Sequence, residues 1–220
     1  MNITPLFSVH GENHYFDVFA TVLPLDCKHR AAHFAALDLL SSVVRENYGA
    51  ANLHLMRDEN GKPQLIHPFL HMNLTHCKGL AVLAIGNLPV GVDVEPPRIC
   101  RDAARNHVCC AEESRQILTS KNADAMFSRI WTLKEAYGKW NGGGIRLPLS
   151  EICFSIEPDR VTFLHPDAAD LSFHQFLLEI DGIPYAVSVC TERIPDSQIS
   201  RKCDGFLIST ENGGLFHVDD

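Results

Sequence analysis

The stretch LAVLAIGNLPVGVDVE, residues 80–95, holds two apolar runs separated by a Gly86-Asn87 turn signal. Leu80 to Ile85 is the longest clean apolar run in the chain. The second run, 90–95, reads as another strand and is stopped by Pro96-Pro97. Within Gly91-Val92-Asp93-Val94-Glu95 the two acids stand at i and i+2, so a strand points both carboxylates to one side. Their neighbours are apolar, which buries the rest of the strand. Two adjacent carboxylates repel, and a divalent cation with a preference for hard oxygen ligands relieves that repulsion. The other reading is a strand end with two solvated acids.

Toward the N-terminus, residues 14–23 alternate, with Phe16, Val18, Ala20 and Val22 on one face of a strand. Asp26 is placed to cap a helix running to Tyr48, where Phe34, Leu37, Leu40, Val44 and Tyr48 step by three and four and Gly49 ends it. A short strand over 53–57 leads into the turn DENGKP, and a further strand covers 71–77. Toward the C-terminus, 102–119 reads as helix, and Asp124 caps a stronger helix over 125–140 that Gly142-Gly143-Gly144 terminates. Strands follow at 152–156, 161–165, 171–180 and 183–190, the last two joined by Asp181-Gly182, a type I′ hairpin signal. Strand, long helix, strands is thus followed by strand, helices, strands. That order implies two α+β halves of similar plan, residues 1–89 and 90–192. From Arg193 to Asp220 the chain is polar and rich in Gly, Ser and Asp, which predicts a loosely ordered tail.

The chain has 220 residues, enough for one domain or two small ones, and a net charge of -8, which argues against a broad nucleic-acid or membrane-binding face. No apolar run approaches the ~20 residues of a membrane span, and the start MNITPLFSVHGE has no export signal. None of the eight cysteines is spaced as CxxC, so reduced thiols and a cytoplasmic location are expected. There is no GxxxxGK[ST] loop, no GxSxG and no HExxH. His29/His33 and His67/His71 stand at i, i+4, and Pro68 breaks the second pair; neither is read as a metal site.

Three further groups carry chemistry. In FSRIWTLKEAYGKW (127–140), Trp131, Glu135 and Lys139 share a helical face with Lys134 beside it. They serve either as a surface Glu–Lys pair or as a joint grip on a cation and a polyphosphate. Asn73-Leu74-Thr75-His76 sets a hydroxyl and an imidazole at a strand end, as a cap or as phosphate partners. Gly61-Lys62-Pro63 lies in a turn.

Taken in order, the GKP turn, the N-L-T-H element, the G-V-D-V-E strand and the W-T-L-K-E-A-Y-G-K helix (131–139) resemble the 4′-phosphopantetheinyl transferases of the surfactin-synthetase-activating type. The resemblance spans roughly 26–190. It implies transfer of the phosphopantetheine arm of coenzyme A to a serine hydroxyl of an apo acyl or peptidyl carrier protein, releasing adenosine 3′,5′-bisphosphate: holo-[acyl-carrier-protein] synthase chemistry. It implies Mg2+ or Mn2+ on Asp93, Glu95 and Glu135, phosphate contacts from Lys134, Lys139, Lys62, Thr75, His76 and Arg30, and Glu113 or Glu135 as the proton acceptor. Lys139 counts among the catalytic groups. Leu37 stands where relatives carry a second phosphate-binding arginine. The implied fold is two α+β halves about a pseudo-twofold axis with coenzyme A in the cleft, as a monomer. Arg98, Arg101, Arg105 and Arg115, with Ile99 and Val108, form either a solvated basic helix face or a surface that docks an acidic carrier helix. The competing functions are a Mg2+-dependent pyrophosphate hydrolase and an inactive homologue that binds coenzyme A or carriers.

Overall fold

A computed structural model describes residues 2–49, 54–57, 63–143, 147–195, 197–203 and 205–209. In chain order these form β1 (Thr4–His10), β2 (Tyr15–Val22), α1 (His29–Asn47), β3 (Leu55–Arg57), β4 (Pro63–Leu65), β5 (His71–Cys77), β6 (Leu80–Gly86) and β7 (Val90–Glu95). Then come α2 (Asp102–Val108), α3 (Ala111–Thr119), α4 (Ala123–Asn141), β8 (Cys153–Ile156), β9 (Val161–Leu164), β10 (Leu171–Ile180), β11 (Ile183–Glu192), β12 (Gln198–Arg201) and β13 (Phe206–Ser209).

Two antiparallel sheets dominate, in the orders β12-β1-β2-β6-β5 and β13-β10-β11-β7. Their inner faces meet in a core in which Phe7, Phe16 and Val82 of the first sheet pack with Val92, Phe176 and Val187 of the second. On the outer face of the first sheet, Leu39, Leu40, Val43 and Val44 of α1 cover Phe19, Met72, Leu83 and Ile85. On the outer face of the second, Leu133, Ala136 and Tyr137 of α4 pack with Phe173, Cys190 and the β8–β9 hairpin. The layers run helix, sheet, sheet, helix, an α+β fold. Every residue of β6 is buried because it has α1 on one side and the second sheet on the other, which is why its sequence is an unbroken apolar run. Each such fully buried Leu or Phe contributes roughly 1.5–3 kcal/mol.

The strands at 71–77, 80–85, 90–95 and 171–180 and the α4 helix stand where their patterns place them. The β10–β11 turn has Asp181 at φ 52° and Gly182 at φ 75°, the left-handed pair of a type I′ turn. Several expectations are corrected. Helix α1 starts at His29 with Lys28 as its N-cap and no side-chain cap, so Asp26 lies outside it. The 102–119 helix is two helices that break at Cys109-Cys110. Asn122, not Asp124, caps α4 by accepting from Ala125 N, while Asp124 accepts from Cys100 N. Within the stretch expected to be a loose tail, β12 pairs with β1 and β13 with β10, while residues 210–220 lie outside the described residues. Cys110 and Cys153 are joined as a disulfide, against the expectation of reduced thiols throughout. Gly144 of the glycine run lies outside the described residues. Among the described residues, no helix is long and apolar enough to cross a membrane.

Candidate active site

Strand β5 is the last strand of one sheet and β7 the last of the other. The two lie side by side without a ladder between them, and side chains join them instead. Asn73, buried on β5, accepts the Val92 N–H at 2.9 Å. Thr75 Oγ1 donates to Asp93 Oδ1 at 3.0 Å. From α4, Lys139 Nζ donates to the same Oδ1 at 2.6 Å, to Val92 O at 2.9 Å and to Thr75 Oγ1 at 3.2 Å. Helix α4 comes this close to β7 because residue 91 is glycine: a Cβ there would run into Ala136 O and Trp140 N. The glycine of the G-V-D-V-E stretch therefore sets the distance between the Asp93 strand and the helix bearing Glu135 and Lys139.

Asp93 is 6% exposed, and its Oδ2 has no hydrogen-bond partner among the described residues. A buried carboxylate oxygen left unpaired is costly and calls for a partner. Glu95, two residues on, accepts from Arg98 Nη1 at 3.1 Å, and the Arg98 guanidinium lies 4.4 Å from the Trp131 ring centre. Burial first, and the charge of Asp93 second, hold the Glu95 and Glu135 carboxyls above the usual range, with Lys139 and Arg98 pulling the other way. Among the described residues the three acids are not drawn within 4.8 Å of one another as a set. An orphaned oxygen on Asp93 with two electrostatically coupled glutamates is a donor set that fits a hard divalent cation.

His76 follows Thr75 on β5. Its ring centre is 4.9 Å from that of His29 and 6.1 Å from that of His33 on α1. Burial lowers its basicity, and the nearby His29, His33 and Lys139 lower it further. Arg30 is exposed, its guanidinium 5.7 Å from the Phe34 ring centre. Lys62 lies outside the described residues.

Two of the expected site residues are elsewhere. Lys134 is 0% exposed; its ammonium donates to Val108 O, Leu149 O and Ile152 O and pairs with Glu113 at 2.7 Å. Glu113 is equally buried and also accepts from Cys110 N and Phe154 N. On a helix, successive residues point about 100° apart, so Lys134 turns into the interior where Glu135 turns to the cleft. The structure leaves Lys134 no reach to phosphate and Glu113 no free oxygen for a proton, and both expectations are corrected to a buried structural pair.

Beside the acids runs a groove of about 680 Å³, with Arg98, Ile99, Arg101, Trp131 and Leu149 in its lining. Of the arginines Arg98, Arg101, Arg105 and Arg115, Arg98 is tied to Glu95, Arg105 to Asp102 and Arg115 to Glu112. Sequence reasoning did not foresee Asn73 as the stitch between sheets. It also gave no sign of the buried network in which Arg129 donates to Gln175, and Gln175 and Thr132 meet Ser188 behind Asp93.

Residues 89–190 match the 4′-phosphopantetheinyl transferase superfamily. The chain is 28% identical over 162 residues to the 4′-phosphopantetheinyl transferase psf-1 of Bacillus pumilus, covering 70% of this chain and 68% of that one. It is 29% identical over 165 residues to the 4′-phosphopantetheinyl transferase ffp of Bacillus subtilis, covering 72% of each. It is 26% identical over 158 residues to the 4′-phosphopantetheinyl transferase Sfp of Bacillus subtilis (strain 168), covering 69% of this chain and 70% of that one. The match lies on the β7 and α4 segments that build the site, so this part of the chain is similar to the 4′-phosphopantetheinyl transferase superfamily, and the similar proteins include the Sfp-type transferases of Bacillus.

Proposed function

We propose that the cleft between β5, β7 and α4 transfers the phosphopantetheine arm of coenzyme A to a serine of an apo carrier protein, leaving adenosine 3′,5′-bisphosphate. One observation carries this reading: Asp93 Oδ2 is buried and has no hydrogen-bond partner among the described residues, while Lys139 and Thr75 hold its other oxygen and the charge of Asp93 is felt by both Glu95 and Glu135. Asp93, Glu95 and Glu135 would hold Mg2+ or Mn2+. When bound, the ion supplies positive charge to the pyrophosphate. Lys139, part-exposed at the cleft, is near enough to add a second positive charge to phosphate oxygens. Thr75, His76 and Lys62, with Arg30, His29 and His33, would grip the remaining phosphates.

Glu135 is the proton acceptor in this reading. Its carboxyl is held above the usual range by burial and Asp93, which makes it a stronger proton acceptor than an exposed glutamate. The serine Oγ forms a bond to the phosphorus bearing the pantetheine arm, its proton passes to Glu135, and the bond to the adenosine bisphosphate oxygen breaks. Positioning and electrostatics carry the rest. The division into halves at 89/90, related by a pseudo-twofold axis, belongs to the same reading, as do a monomeric state and a cytoplasmic location.

The test is incubation with coenzyme A, Mg2+ and a panel of apo carriers from fatty-acid, polyketide and peptide synthases. A mass gain of one phosphopantetheine arm on the carrier is expected. Hydrolysis of coenzyme A with no gain on any carrier would favour a pyrophosphate hydrolase.

A further inference from the structure

Cys110 and Cys153 take no part in the chemistry above, yet each stands within three residues of a segment that lines its groove. Cys110 caps α3 and Cys153 opens β8; 43 residues apart in sequence, they have Cα atoms 6.1 Å apart and bonded sulfurs. Both are half-buried, so small thiols and disulfides reach them from solvent. The bond ties together the same two segments that the Lys134–Glu113 pair already bridges. Lys134 holds Val108 O on one side and Leu149 O and Ile152 O on the other, and Glu113 holds Cys110 N and Phe154 N. Each cysteine thus flanks backbone fixed by that cage. The segments lead to the groove: His107 and Val108 of the one and Leu147 to Ser150 of the other are in its lining, and form its two banks. Glu113 spends both oxygens on Lys134 and backbone N–H groups, so the trio Cys110, Glu113 and Cys153 has no carboxylate to offer a metal.

We propose that Cys110 and Cys153 are a reversible thiol–disulfide switch that sets how firmly the two banks of the groove are held together. Because the cage keeps both segments in place without the bond, reduction leaves the fold standing and loosens the banks. The oxidant is a low-molecular-weight disulfide such as oxidised glutathione. One cysteine thiolate attacks it, forming a mixed disulfide and releasing one thiolate. The second cysteine thiolate attacks the protein sulfur of that mixed disulfide, forming the Cys110–Cys153 bond and releasing the other. Two electrons pass from the protein thiols to the small disulfide, and the two cysteine protons go to solvent. Excess small thiol reverses both steps.

The experiment equilibrates the full chain in glutathione buffers of rising oxidation, quenches with acid, alkylates in denaturant and maps the label by mass. Cys110 and Cys153 are expected to lose label together in one transition while the other six cysteines stay labelled. The oxidised form should melt about 5–10 °C above the reduced form. Resting on the transfer reading, the carrier KM should differ at least about threefold between the forms, with the coenzyme A KM unchanged. Cys110→Ser and Cys153→Ser should each show the reduced behaviour in every buffer; serine keeps the N-cap at position 110. Label that never protects the pair, or a protected pair with equal melting in both forms, overturns the switch. Absence of transfer in both forms counts against the transfer reading alone, since labelling and melting decide the switch without it.

Discussion

Lys134 and Lys139 stand on one helix and meet opposite surroundings. Lys134 is sealed among three carbonyls and Glu113, and every polar atom of that pair is answered. Lys139 meets Asp93 at the cleft, where one carboxylate oxygen has no partner among the described residues and two neighbouring glutamates resist ionisation. The difference teaches how to tell a charge that holds a fold from one that serves chemistry. A saturated buried pair has nothing left for a ligand, whereas an unsaturated one is stabilised by whatever completes it.

The comparison breaks most visibly at Lys134. Lys134→Ala strands a buried carboxylate and should cost about 3–5 kcal/mol in urea unfolding, while Lys134→Met with Glu113→Leu should recover much of that loss. A single variant as stable as the parent would remove the structural assignment. At the cleft the sign of the effect reverses. Asp93→Ala should lower turnover at least about a hundredfold with a far smaller change in unfolding than Lys134→Ala. Excess chelator should likewise abolish transfer, and full activity in it would refute the metal site.

Lys139→Ala should lower kcat/KM for coenzyme A by about tenfold or more. Its three hydrogen bonds to β5 and β7 make it more than a surface residue, so some loss of stability is expected as well, smaller than at Lys134. Unchanged kcat/KM would leave it a structural tie like its neighbour. The glutamates sharpen the contrast through pH. Their raised pKa values mean that, without a cation, the fold gains stability as pH falls from above those values to below 4.5. Mg2+ binds the ionised forms, so the rise in Tm on adding it should be larger at pH 8 than at pH 5, read by scanning calorimetry. An equal rise at both would place the ion elsewhere. The smallest effect is expected at the groove. Arg101→Glu should raise the carrier KM about threefold at low salt and less at high salt, with the coenzyme A KM unchanged.

The acids were legible because strand and helix periods put them on shared faces: Asp93 with Glu95 at i+2, Glu135 with Lys139 at i+4. The same periods would have placed Lys134, since Ile130 and Tyr137, four before and three after it, are both buried. Likewise Ile117, four after Glu113, is buried. Adjacency in a motif outweighed direction around the helix. The Cys110–Cys153 contact joins segments 43 residues apart, and no local pattern carries that. Strand β1 was missed because Leu6, Phe7, Ser8 and Val9 are all buried in a row, without alternation. Strands β12 and β13 are pieces of only four residues, QISR and FLIS, too short to show a periodicity of their own, and each pairs with a longer strand.

Those two late strands finish the outer border of each sheet, and the inner borders, β5 and β7, are turned toward each other. A bare strand border is a template on which a second chain can add its own strand, the first step toward aggregates. This protein keeps two such borders facing across a working cleft and fills the gap with single side chains, Asn73 above all. The cleft is thereby left unzipped for a substrate yet closed to a foreign strand. The residue that joins the two sheet borders occupies, with one buried amide, a place where a foreign strand would otherwise pair.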